Sequence, residues 1–204
     1  HGHTAPREWH GQRRRVDVFD AKSDAEMALG VLGVRKASLQ VDKSAPDYFH
    51  PGRSGVLMQG RTNLAGFGEL HPNIASHFGL RGPVVGFELF LDDLPLAKAK
   101  GSARSLLKMS AFQTVNRDFA FVLDVDVAAS ELLRAIKSAA GPLLSDIQLF
   151  DVYQGKGIED GKKSLAVTIT LVPQKATLTE EEIEKISAAV VAFAKKNCGA
   201  ILRG

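Results

Sequence analysis

Between Phe150 and Ala166 the chain reads FDVYQGKGIEDGKKSLA, a strand, a Gly-rich turn and a second strand. Three side chains in it are out of keeping with a plain core hairpin: Asp151, Tyr153 and Ser164. A tyrosine on an open sheet stacks a nucleobase, a contact worth roughly 1–3 kcal/mol. A neighbouring carboxylate accepts from a base amino or imino group, and a hydroxyl donates or accepts. Together they form a kit for reading splayed, unpaired RNA bases. The same residues also suit a duller arrangement, with the tyrosine packed over a loop and the aspartate fixing a turn. Alternation along the strands leaves both open.

Other reactive residue types lack the spacing their chemistry needs. His50, His71 and His77 with Glu69 invite a metal reading. However, His71 and His77 are six apart, not the i, i+4 that puts two ligands on one helix face. Cys198 sits at a helix C-terminus, where the dipole raises a thiol pKa. Ser54 in GRSG lacks the strand–elbow–helix context of a nucleophile, and no helix follows Gly155, Gly157 and Gly161 to make a phosphate loop. No catalytic residue and no metal site is expected. Arg13-Arg14-Arg15 could touch phosphate or form an ordinary solvated edge.

The elements around these residues divide the chain. Its 204 residues suit one large or two small domains, and one cysteine excludes an internal disulfide framework. With a lone Cys198 a reducing, cytoplasmic setting is expected, and no apolar run approaches a membrane span, so no membrane partner is expected. The start, His1-Gly2-His3 without Met, reads as a piece of a longer polypeptide. In the first half, Val16–Phe19 reads as a short strand and Asp20 as the cap of a helix through Leu32, with Ala25, Leu29 and Leu32 inward. Ala37–Val41 reads as a strand, and Val56–Met58 with Leu64–Phe67 as a hairpin around Gly60–Asn63. A short helix from Pro72 and a strand over Val84–Leu91 complete a largely antiparallel module. Residues 92–109 lose periodicity and read as a linker.

Beyond it the pattern is βαββαβ, the ferredoxin-like split unit. Its strands are Phe119–Leu123, Ile147–Tyr153, Ser164–Val172 and Ala200–Leu202. Its helices are Ala128–Ala140 and one opened by a Thr179/Glu182 capping box, with Ile183, Ile186, Val190 and Phe193 inward. If Leu165, Val167, Ile169 and Leu171 pack under the helices, Ser164 faces outward. If Phe150 and Val152 do likewise, Asp151 and Tyr153 join it on the open face. Charge tempers an RNA reading: residues 1–109 carry 15 Lys/Arg against 11 Asp/Glu, residues 110–204 only 11 against 12.

SAFQTVNRDFAFVLD, LFDVYQGKGIEDGKKSLA, TLTEEEI and the terminal LRG resemble the ferredoxin-fold anticodon-binding domain that closes the β subunit of bacterial phenylalanyl-tRNA synthetases. VDVFDAKSD, FHPGRSG and GFGELHP resemble the module before it. The resemblance implies an α+β chain: residues 1–105 a truncated, non-catalytic class II synthetase-like antiparallel module, and 106–204 the anticodon-binding domain. It further implies anticodon recognition by Asp151, Tyr153 and Ser164. The enclosing enzyme would attach phenylalanine to tRNA(Phe), as an assembly of two α and two β subunits. ATP and Mg2+ are implied for that full enzyme and no cofactor for this part. The family often has Pro where Gln113 stands. The alternatives are a ferredoxin-like small-ligand sensor or a purely structural assembly module. Against the sensor, Asp124-Val125-Asp126 fills the loop after the first strand without glycine.

Overall fold

The computed structural model describes every residue except His10, Gln12, 96–109, Lys175 and Gly204. The chain forms two compact units, His1–Arg104 and Ser105–Gly204. Most of the expected linker, residues 96–109, lies outside the described residues, and Leu91–Asp93 at its start is a 3-10 turn.

In the first unit β1 (Gln40–Asp42), β2 (Phe49–Gln59), β3 (Thr62–Leu70) and β4 (Val85–Leu89) form an antiparallel sheet in that order. Helix α1 (Val18–Val31) lays Ala21, Ala25 and Leu29 onto Leu57, Leu64, Ala65 and Phe67, and α2 (Pro72–His77) follows β3. The residues expected as a strand, Val16–Phe19, instead lead into α1. The Asp17 carboxylate accepts from the amides of Phe19 and Asp20, while Asp20 accepts from the Asp17 amide at 2.8 Å. This capping box starts the helix three residues earlier than a cap at Asp20 would, and it overrides the β-propensity of a four-residue run. The inner stripe therefore begins at Ala21, and Leu32, expected in it, is the exposed C-cap. Of the next expected strand, Ala37–Val41, only Gln40 and Val41 pair, joined by Asp42, because Lys36–Ser38 closes a 3-10 turn. Gly68 permits the tightest packing in this sheet: a Cβ there would lie 2.6 Å from Ser54 Cβ and 2.9 Å from the Phe49 ring.

The second unit is β5 (Val115–Asp124), α3 (Ala129–Ala140), β6 (Leu144–Tyr153), β7 (Lys162–Leu171), α4 (Glu180–Cys198) and β8 (Ile201–Leu202). Its sheet order is β6-β7-β5-β8, every neighbour antiparallel. Both helices cover one face, where Phe121, Leu123, Leu165, Val167, Ile169 and Leu171 meet Leu132, Ile136, Val190 and Ala194. The Thr179/Glu182 box opens α4, and Gly199 closes it at φ +62°. Phe193, expected inward, is exposed. The buried stripe is Ile183, Val190, Ala194 and Cys198. Among the described residues of this unit, no helix covers the opposite face of the sheet.

Candidate functional site

A regular strand through Ile147–Tyr153 would put Ile147, Leu149, Asp151 and Tyr153 on one face, two core residues and two polar ones together. A β-bulge resolves the conflict. Ile147 pairs with Ile169 and Leu149 with Val167 on the helix side. The register then slips, so that Asp151 faces Ala166, Val152 faces Leu165 and Tyr153 faces Ser164. Directly opposed residues share a face, so Asp151, Tyr153 and Ser164 lie on the helix-free face. Phe150 is the extra residue. It was expected under the helices with Val152, but it sits in the bulge 54% exposed, and Val152 is exposed as well.

The ladder extends these residues into two adjacent rows. One runs Ile201, Val122, Ser164, Tyr153, and the next has Ala120, Ala166 and Asp151. Arg203 continues this second row, its amide donating to the Ala120 carbonyl at 2.7 Å. Small side chains at Ala120 and Ala166 leave the face shallow between Asp151 and Arg203. Arg203 and Ala120 were not singled out from the sequence, although parity counted back from the last strand would have found them.

The three expected residues differ in what they can offer. Tyr153 remains 39% exposed, and its hydroxyl donates to the Lys156 carbonyl at 3.1 Å. Gly155 at φ +151° lies against the ring: a Cβ there would be 3.1 Å from the phenol oxygen. The tyrosine is thus tied to its loop and still presents surface. Asp151 is exposed and its carboxylate has no hydrogen bond or ion pair to a described residue, so its acceptors remain available. Ser164 shares the face but is only 5% exposed, between Val122 and Tyr153, so it is the floor of the site. Farther along, polar residues satisfy one another: Thr168 donates to Asp118 at 2.6 Å and Thr170 to Asn116 at 2.9 Å.

The histidines have local work. His50 and His71 accept backbone amides of Gly52 and Asn73 at 3.0 and 3.2 Å, and His77 meets Phe78 edge-on. Among the described residues no group of three His, Cys, Asp or Glu is placed to hold a metal ion. The Cys198 thiol is buried, and burial, with Glu131 behind it, pushes its pKa up, away from the reactive thiolate. No helix among the described residues is long and apolar enough to cross a membrane.

Residues 110–203 match the ferredoxin-fold anticodon binding domain, and residues 1–91 the phenylalanyl tRNA synthetase beta chain CLM domain. The phenylalanine–tRNA ligase beta subunit of Paramagnetospirillum magneticum is 48% identical over 204 residues, covering 100% of this chain and 26% of that protein. The beta subunit of Rhodospirillum rubrum is 47% identical over 203 residues, 99% of this chain and 25% of that protein. That of Bradyrhizobium diazoefficiens is 44% identical over 199 residues, 97% and 25%. The chain therefore spans about a quarter of the length of these curated relatives. Its two matched domains stand in order, and the βαββαβ unit with its open face is the second of them. The chain belongs to the phenylalanine–tRNA ligase β-subunit family and carries that family's CLM and anticodon-binding domains.

Proposed function

We propose that the open face of the second unit reads the anticodon of tRNA(Phe), and that the first unit scaffolds assembly with an α subunit. Tyr153 stacks an anticodon base, Asp151 accepts from a base edge, and Ser164 supplies a hydroxyl at the floor beneath them. The observation that carries this reading is the bulged register, which sets Asp151 beside Tyr153 on a face free of helices. The phenylalanine ligation that such recognition serves, with its ATP and Mg2+, belongs to the whole ligase, and we assign it no residue of this chain. In a full β subunit assembled with its α partner, Tyr153→Ala weakens tRNA binding by about 1–3 kcal/mol, or about 5- to 150-fold. Unchanged affinity for tRNA overturns the reading.

A further inference from the structure

The row that holds Tyr153 and Ser164 ends in aliphatic side chains. Val122 pairs with Ser164 on one side and with Ile201 on the other, so all four residues share the helix-free face. Ile201 is 57% exposed and Val122 is half-buried beside it. Ser164 is buried, so the row presents two ends, a tyrosine ring and an aliphatic pair, with a low middle. Of the exposed large apolar side chains described in this unit, Ile201 is the one that joins Tyr153 in its row. Phe150 sits in the bulge, Val152 and Leu202 oppose Leu165 and Phe121 on the helix side, Val125 lies past the end of β5, and Phe193 is on α4.

Adjacent strands lie about 4.8 Å apart, so the three steps from Tyr153 to Ile201 span roughly 14 Å. That exceeds the length of one nucleobase, so a base stacked on Tyr153 leaves Val122 and Ile201 uncovered. An aliphatic shelf gives a base apolar contact but no hydrogen bond, so it holds any base alike. The neighbouring row says what covers it. Arg203 follows Ile201 by two residues, and its amide is fixed to the Ala120 carbonyl. Among the described residues its guanidinium has no carboxylate partner. A nucleotide satisfies both features, with its base on the shelf and its phosphate at the guanidinium. An apolar protein surface closing over Ile201 would bury that charge unpaired.

We infer that Val122 and Ile201 form a second shelf, which takes another unpaired base of the same RNA strand by apolar contact and without regard to its identity. This rests on the anticodon reading of the open face. The test is binding of tRNA(Phe), intact or lacking one base of the anticodon loop at a time, to a full β subunit assembled with its α partner. Ile201→Ser should weaken intact tRNA by about 5-fold, the low end of what losing a stacked base costs. Ile201→Val keeps the apolar surface and should keep the affinity. The Ile201→Ser loss should vanish with one abasic form, and the Tyr153→Ala loss with a different one. Exchanging the shelf base for another should leave affinity unchanged. The shelf is overturned if Ile201→Ser binds intact tRNA like the parent, if its loss persists with every abasic form, or if it vanishes with the same form as that of Tyr153→Ala. If Ile201→Ser instead loosens the assembly with the α subunit, a protein covers the shelf and the inference again fails. If Tyr153→Ala costs nothing while Ile201→Ser couples to one base, the role given to Tyr153 falls and the shelf stands.

Discussion

Tyr153 is positioned by a residue without a side chain. With Gly155 at φ +151°, the loop backbone comes close enough for the Lys156 carbonyl to take the phenol hydrogen bond, and a Cβ at Gly155 would be 3.1 Å from the oxygen and 3.3 Å from Cζ. Gly155→Ala should therefore displace the ring, and tRNA affinity should fall toward that of Tyr153→Ala. Tyr153→Phe keeps the stacking surface and should retain most of the affinity. A Phe variant as weak as the Ala variant would mean that the hydroxyl, not the ring, makes the contact. In the first unit the Arg14 guanidinium, and then the Asp17 amide, hold the Asp20 carboxyl at about 2, below its ordinary 3.8. A carboxylate with a depressed folded-state pKa adds stability that is complete above its unfolded pKa and is lost as pH falls through the folded one. Asp20→Asn should melt below the parent above about pH 4, and the gap should close between about pH 4 and 2 in a series of thermal melts. A gap constant with pH would show that the ionised carboxylate is not what matters.

At the scale of elements, what the sequence shows depends on whether a signal is local. The α4 cap is local: Thr179 accepts from the Glu182 amide at 3.3 Å and Glu182 answers to the Thr179 amide at 2.9 Å, as the TLTE spacing implies. Thr179→Ala should cost about 1 kcal/mol and Thr179→Ser much less, measured by urea unfolding. An equal loss in both would place the effect in the methyl group. The start of α1 was misread because Asp17 and Asp20 are both competent caps, and the choice falls to Arg14, which binds both carboxylates. The helix periods, the hairpins and the order of strands were legible, since each rests on repeats within a few residues. The bulge was only half visible. Its trace is the apolar phase switching from Ile147 and Leu149 to Phe150 and Val152, and which residue is extruded depends on pairing with β7, seen only in the sheet. The face of Asp151 and Tyr153 was thus read correctly from a strand whose irregularity was not. The burial of Ser164 was missed for a related reason: it sits between Val122 and Tyr153, and parity along its own strand says nothing about neighbours across the sheet.

At the scale of the whole molecule, each unit closes its own core: Leu29, Leu57, Leu64 and Phe67 in the first, Phe121, Leu132, Leu165 and Ile169 in the second. Neither core draws on a residue of the other unit, and residues 96–109, across the division, carry three Lys and one Arg with no acidic residue. Two units with separate cores can each be disabled without unfolding the other. Leu64→Ala and Leu165→Ala each leave a cavity at a site at most 1% exposed, which should cost about 2–5 kcal/mol in the unit concerned. Calorimetry of the chain should show two transitions, the first variant lowering one and the second lowering the other. Leu64→Ala should leave the anticodon preference of the still-folded second unit intact below its own transition. If either substitution lowers both transitions together, the units fold as one cooperative body.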